Sequence, residues 1–395
     1  MVSSEQIIYL DNNATTQVDP AVLEEMLPFL TKYFGNPSSG YGFGSQVRSA
    51  IDLARTRLAG LLGCDPAEII FTSCGTESNN AAINSALQLD PARQHIVTTA
   101  VEHSAISRHC DVLSKRGCSV TVVGVDAEGN LDLDELERAI TPQTAIISAM
   151  WANNETGVIF PIEKIAEIAL RNRVLFHTDA IQVIGKIPIQ LADSTINSLS
   201  LSGHKLHAPK GVGALYVRKR SAFKPTLIGG SQENSRRAGT ENVASIVALG
   251  KAAECAAAAL EDEGTRVRAM RDRFETTLLE KVPETFVNGS RASRLPNTSN
   301  LSFAGVDSGA VLAMLDRHQI CCSAGSACRT GSLDGSHVLR AMKLDSDRMR
   351  GSMRFSFGRF NTEAEVDKAV EIIPTIIAKL RQLSSAASVR EPAGV

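Results

Sequence analysis

One pattern restricts the fold of this chain more than any other: from Glu68 onward, short apolar runs alternate with helical segments. Residues 69–72, 95–99, 119–123, 144–150 and 174–178 read as strands, while helices begin near Thr76 and cover 105–115, 133–139 and 162–170. Strands separated by helices form a mainly parallel sheet covered on both faces, because each crossover must return over the sheet. The class is therefore α/β, with a ligand expected at the carboxyl ends of the strands.

The pattern changes after the apolar run 196–201. A strand is expected at 213–217, a polar loop with Gly229-Gly230 and Arg236-Arg237 at 225–240, and a long Ala-rich helix from Thr240 to about Lys281. Such a helix commonly leads from one domain into another. Strands at 285–287, 299–303 and 352–357 then mix with helices at 308–316 and 337–342. Thr362-Glu363-Ala364-Glu365 is a capping box for a last helix, which Pro374 is expected to kink. The 395 residues thus read as a large, mainly parallel-sheet α/β domain (16–260), a smaller α+β domain (1–15 with 261–383) and a disordered tail (384–395).

Ahead of the alternation, 9–16 is an extended polar arm. Asp19-Pro20 starts a helix with an apolar stripe of Leu23, Met26, Leu27 and Leu30, and a second helix covers about 44–62. Gly40, Gly42 and Gly44 suggest a mobile or ligand-hugging loop.

Composition narrows the function. With a formal net charge of −2, 5% aromatics and no long Lys/Arg run, neither nucleic acid nor an anionic membrane is an expected partner. Residues 1–10 lack the cationic-then-apolar character of an export leader, and no later apolar run approaches the length that spans a bilayer. A cytoplasmic enzyme is the expected class. The eight cysteines form no Cys-x-x-Cys pair and the histidines are scattered, so no intrinsic metal site is expected. The thiols are expected to be free, most of them small buried hydrophobes.

Four places carry chemistry, each with a plainer alternative. Ser202-Gly203-His204-Lys205 ends an apolar run, so Lys205 stands at the wall of a core, where desolvation favours a nucleophilic amine able to form a Schiff base; the alternative is a surface lysine on a turn. In Thr72-Ser73-Cys74-Gly75-Thr76-Glu77-Ser78-Asn79 a strand gives way to a helix whose first N–H groups, with the Thr76 hydroxyl, suit a phosphate; Thr76 is equally a plain N-cap. Asp179, at the end of another strand, needs a buried partner such as a protonated pyridine nitrogen, and Gln182 is placed to bond a ring oxygen; the alternative for Asp179 is a helix N-cap. His103, in Val101-Glu102-His103-Ser104, is suited to stacking on a flat ring and exchanging protons, although a lone histidine is usually structural. A phosphate cradle, a pyridinium counter-charge, a stacking imidazole and an imine-forming lysine are together what pyridoxal 5'-phosphate requires.

These motifs, with Tyr9-Leu10-Asp11-Asn12-Asn13-Ala14-Thr15-Thr16, Trp151-Ala152-Asn153-Asn154-Glu155-Thr156-Gly157, Arg237-Ala238-Gly239-Thr240-Glu241-Asn242 and Ser323-Ala324-Gly325-Ser326-Ala327-Cys328, resemble the NifS/IscS group of cysteine desulfurases, most closely the NifS type, from about Tyr9 to Leu383. The resemblance implies the pyridoxal-phosphate-dependent transferase fold of class V aminotransferase type and a homodimer with active sites near the interface. It implies that Lys205 bears the cofactor, Asp179 faces its ring nitrogen, Gln182 its ring hydroxyl and His103 its face. Gly75, Thr76, Ser202 and His204 would hold the phosphate, joined by Thr240 of the neighbouring subunit. Asn154 would lie beside cofactor and substrate, and Arg354 would bind the substrate carboxylate.

The activity implied is conversion of L-cysteine to L-alanine, with the sulfur left as a persulfide on Cys328 and His103 aiding proton transfer. The sulfur would pass to an iron-sulfur scaffold or other acceptor protein, for a NifS-like chain one serving nitrogenase, and Cys328 is a possible transient ligand of a cluster shared with that partner. Small and polar neighbours place Cys328 on an exposed loop, and adjacent Arg329 would favour its thiolate. Cys321 and Cys322 follow Ile320 into a strand, and Cys74 reads as packing. The rivals are selenocysteine lysis or transamination on the same fold, and a sulfur carrier or scaffold without catalysis. Cys328 argues against transamination, which needs no thiol; Lys205, Asp179 and His103 beside it argue against a mere carrier.

Overall fold

The computed structural model describes residues 7–324 and 335–388. A short strand, β1 (Ile8–Tyr9), opens the chain. Then β2 (Ile69–Thr72), β3 (His95–Thr99), β4 (Ser119–Val123), β5 (Thr144–Ser148), β6 (Leu175–Asp179), β7 (Ser198–Ser202) and β8 (Gly213–Val217) form one sheet in the order β2-β8-β7-β6-β5-β3-β4. The pairs β3/β4, β3/β5, β5/β6 and β6/β7 are parallel, while β8 runs antiparallel to both β7 and β2. Since β8 alone is reversed, β2, β3, β6 and β7 all end on the same side of the sheet. Every residue of β3, β5, β7 and β8 is buried, as strands covered on both faces require.

The free edge of β2 is closed by side chains. Glu233 accepts the Phe71 N–H at 3.0 Å, and Arg55 and Arg236 donate to the Ile69 carbonyl at 2.9 and 3.1 Å. Backbone groups that could pair with another chain are thereby occupied.

A second sheet contains β9 (Thr285–Val287), β10 (Thr298–Phe303), β12 (Ser323–Ala324) and β13 (Ser352–Ser356), all antiparallel, with β11 (Ile320–Cys321) pairing in parallel with β1. The large sheet and its helices surround one hydrophobic core. Ile8, Leu10, Phe274, Phe303, Phe355, Phe357 and the helix Glu363–Ser388 build another. Leu295, Val338, Leu339 and Met342, expected in the smaller domain, pack into the larger core.

Several expectations need correction. The helix after Asp19 ends at Met26, because Pro28 begins a separate turn of helix; its buried residue is Val22, while Leu23, Leu27 and Leu30 point away from this chain's core. Gly42 and Gly44 belong to the helix Gly42–Leu62 rather than to a ligand loop, and a Cβ on Gly44 would come within 2.7 Å of the Asn36 and Ser39 carbonyls. The continuous helix Val243–Lys281, with π-helical turns at Glu263–Val267, does contain a stretch long and apolar enough to cross a membrane, and more than half of that stretch is buried inside the protein. It packs on Gly42–Leu62 so closely that a Cβ at Gly250 would meet Ala54 Cα at 2.4 Å. The last helix runs on to Ser388, into the segment expected to be disordered, with Pro374 inside it; residues 389–395 lie outside the described residues. A short helix, Ser346–Arg350, was not expected. The seven described cysteines are free, but only Cys110 and Cys322 are buried; Cys64, Cys74 and Cys118 sit at the ends of elements, where cover is incomplete.

Candidate active site

A cavity of about 380 Å³ lies where β2, β6 and β7 end. It is lined by Gly75, Thr76, His103, Asn154, Asp179, Gln182, Ser202, His204, Lys205 and Arg354, so ten of the twelve sequence-predicted site residues come together there. Thr240 does not join them: it lines a separate cavity of about 160 Å³ with Ser73 and Arg237. Cys328 and Arg329 lie outside the described residues.

Lys205 ends the tight turn Gly203–Lys205 that follows β7. Its Nζ donates to the Ala14 carbonyl at 2.7 Å and also to that of Asn13. The amine is therefore held by the polar arm of residues 9–16 and faces the cavity.

Asp179 is the last residue of β6 and only 5% exposed. Asn79 donates to its Oδ2 at 2.7 Å and the Ile181 N–H to its Oδ1 at 3.0 Å, so it caps a turn rather than a helix. Burial pushes its pKa up, with His103, these hydrogen bonds and Lys205 opposing. A buried carboxylate held only by neutral donors is complementary to a cation. Across the cavity, His103 caps the helix Ser104–Lys115 by accepting the Ala105 N–H on Nδ1 at 3.1 Å. The neutral ring must then carry its proton on Nε2, and burial favours that neutral form.

The anion end is built by the helix Gly75–Leu89. Its N-cap is Cys74, not Thr76, and it makes no side-chain capping bond, which leaves the first-turn N–H groups without that partner. A Cβ at Gly75 would lie 2.1 Å from Ile181 Cδ1, so a side chain there would have to push the end of Ile181 aside. Glu77 would repel an anion at this place. Arg237 neutralises it through hydrogen bonds of 2.9 and 3.2 Å, and although burial pulls the other way, Arg237 and the Ser73 N–H hold its pKa below the usual carboxylate value. His204, pushed down to about 4 chiefly by burial, is neutral and shares a 3.1 Å hydrogen bond with Thr15.

Arg354 closes the opposite end, donating to the Asn154 carbonyl at 3.0 Å, to Asp11 at 2.7 Å and to Ser323 at 2.9 Å.

The class-V aminotransferase model matches residues 8–369. Cysteine desulfurase 2 of Trichormus variabilis is 54% identical over 96% of this chain and 95% of its own length, and cysteine desulfurase NifS of Azotobacter vinelandii is 50% identical over 95% and 94%. This chain belongs to the class-V aminotransferase family, among its cysteine desulfurases. A solved NifS-like protein superimposes with a TM-score of 0.89 at 36% identity, covering 95% of this chain and all of the other. A structure described as SspA in complex with cysteine gives 0.79 at 35% identity over 90% and 99%. Enzymes of this family depend on pyridoxal 5'-phosphate.

Sequence reasoning missed several residues that shape the cysteine-desulfurase site. Asn13, 1% exposed, receives Gln182 Nε2 on its carbonyl and Lys186 Nζ and Asn297 Nδ2 on its side-chain oxygen, and donates to Thr298. It ties the arm to both sheets. Lys186 also donates to Gln182 Oε1 at 3.1 Å, which points the amide nitrogen of Gln182 away from Lys186 and toward Asn13 and the cavity. Burial lowers the Lys186 pKa and raises that of Glu263, and each is the main charge that offsets the other's desolvation. Asn13 and Asn79 sit inside motifs read for other residues. Lys186, four residues past Gln182, carried no signal of its own.

Glu102 is fully buried and accepts from Thr99 and the Met150 N–H, while its Oε2 has no partner among the described residues. Burial pushes its pKa from 4.5 up to about 8. The folded state therefore keeps a proton that the unfolded chain loses, so stability contributed by the neutral carboxyl is present at low pH and lost as pH rises from about 4.5 to about 8. Glu102→Gln, which cannot ionise, is expected to flatten the fall of Tm across that window. An unchanged slope would show that Glu102 is not the group responsible.

Proposed function

We propose that this protein is a cysteine desulfurase that holds pyridoxal 5'-phosphate in the 380 Å³ cavity, takes sulfur from L-cysteine and releases L-alanine. One observation carries the reading: a lysine amine, a buried carboxylate held by neutral donors, an imidazole and uncapped helix N–H groups meet in one cavity of a chain with this family's fold. The residues fit the cofactor. Lys205 would bear it, Asp179 would pair with its protonated nitrogen, Gln182 would meet its ring hydroxyl, and Gly75, Thr76, Ser202 and His204 would hold its phosphate. When bound, the group supplies an electron sink for chemistry at the substrate α-carbon.

The chain's own residues do the rest. Arg354 and Asn154 hold the substrate carboxylate end. Lys205 moves the α-proton, and His103 holds a proton on Nε2 for return to the substrate. The Cys328 thiol then takes the sulfur: the substrate C–S bond breaks, an S–S bond forms on Cys328, and the β-carbon gains one proton to become the methyl of L-alanine. Carbon is reduced as sulfur is oxidised, so no outside oxidant is needed. The persulfide passes to an acceptor protein, which we take to be an iron-sulfur scaffold serving nitrogenase, a reading supported by the NifS relative.

We also propose a homodimer. Leu23, Leu27 and Leu30 form an exposed apolar stripe, with Phe34 76% and Ile228 80% exposed, and a second copy would cover them. Thr240, outside its own cavity, would then complete the partner's phosphate site.

Purified protein given L-cysteine and a reductant is expected to form alanine and sulfide in equal amounts, and Cys328→Ala to retain the cofactor while losing sulfide release. Undiminished sulfide from Cys328→Ala would overturn the persulfide route.

A further inference from the structure

Arg354 is buried, yet most of its guanidinium is already in use. Nη1 donates to the Asn154 carbonyl at 3.0 Å. Nη2 donates to Asp11 Oδ1 at 2.7 Å and to Ser323 Oγ at 2.9 Å, and Ser323 itself donates to the same Asp11 oxygen at 2.9 Å. Among the described residues, Nε is buried without a partner.

A guanidinium grips a carboxylate with two parallel N–H groups, either the Nη1/Nη2 end or the Nε/Nη2 side. Both edges include Nη2, and both Nη2 hydrogens are spent on Asp11 and Ser323. The unpartnered Nε leaves the side edge half open: one donor waits while an internal carboxylate holds the other. An incoming carboxylate must therefore displace Asp11 or Ser323 from Nη2.

The exchange suits a buried cation, because one anion replaces another and Arg354 is never left unpaired. Asp11 also has somewhere to go, since its side chain is 16% exposed against 7% for Arg354. Its backbone does not follow: Asp11 bridges to Ser356 and its carbonyl accepts the Ala14 N–H at 2.9 Å, so only the side chain has to move.

We propose that Asp11 is a built-in competitor for the substrate carboxylate, weakening the hold of Arg354 on α-amino acids so that substrate and product exchange readily. This rests on Arg354 being the carboxylate-binding residue. L-Alanine gives way on release to the same competitor that L-cysteine displaces on entry, so Asp11 affects both affinities by the same factor.

The test is Asp11→Asn in the full-length holoenzyme, which keeps an oxygen for Ser323 but removes the charge. L-Alanine affinity is read from the change in visible absorption of the bound cofactor, and KM is measured for L-cysteine. The dissociation constant for L-alanine and the KM for L-cysteine are both expected to fall about tenfold or more, while ethylamine, which lacks a carboxylate, binds as before. Damage to the fold would weaken binding, so a gain is not a structural side effect. Asp11→Ala, measured alongside, carries the same expectation should the asparagine variant not fold. If Arg354→Gln leaves alanine affinity unchanged, the carboxylate reading fails and the proposal with it. If Arg354→Gln weakens binding but neither Asp11 variant tightens it, or if ethylamine binding tightens equally, the proposal alone is overturned.

Discussion

Lys205→Ala is expected to lower alanine formation from L-cysteine by at least about 10³-fold, because it removes the residue proposed to be both the covalent anchor and the base that moves the α-proton. The variant should still bind the cofactor through Asp179 and the first turn of Gly75–Leu89, but without the visible absorption of an imine. A second lysine makes this test specific. Lys186 also bonds to Asn13, yet its Nζ is committed to Asn13 Oδ1 and Gln182 Oε1, both at 3.1 Å, and does not line the main cavity. Borohydride reduction of the wild-type holoenzyme is therefore expected to fix the cofactor on the peptide containing Lys205. Label on the Lys186 peptide would sink the assignment.

Asp179→Asn is expected to reduce kcat by about 10²–10³-fold, the usual cost of losing one preorganised electrostatic group from an active site. Folding should survive. One oxygen of Asp179 becomes an NH₂ that would face either the Ile181 N–H or Asn79 Nδ2, both donors. Asn79 is able to relieve this by turning its amide, since its own Oδ1 is buried without a partner among the described residues. The geometry then persists while the negative charge proposed to face the cofactor nitrogen is lost. Alanine production at saturating L-cysteine, with visible absorption as the check on cofactor content, decides the matter. A kcat within about threefold of wild type at full occupancy would mean that Asp179 does not serve the ring nitrogen.

Both tests concern residues that could be read from the sequence, for a shared reason. Lys205 and Asp179 follow runs of buried strand residues, so each polar group there breaks a local pattern and stands out. Asn79 and Asn13 do not stand out. Asn79 lies in the first turns of a helix, where a polar residue is ordinary, and Asn13 lies in an arm with no periodicity to reveal a buried face. Their importance comes from partners 100 to 285 positions away, which no local window contains. The stripe of Leu23, Leu27 and Leu30 failed in the opposite way: its spacing was legible, but spacing cannot say whether this chain or another covers it.

The order of strands and helices, the sheet they form and the cavity-lining residues at the strand ends follow from the sequence itself, because hydrophobic periodicity and chain-local turns set them. Tertiary structure decided the rest. It seated the polar arm between two sheets, turned the Gln182 amide through Lys186, neutralised Glu77 with Arg237 and placed Asp11 on the guanidinium of Arg354. Each of these depends on desolvation and on hydrogen-bond partners from distant segments, which exist only once the chain has closed on itself.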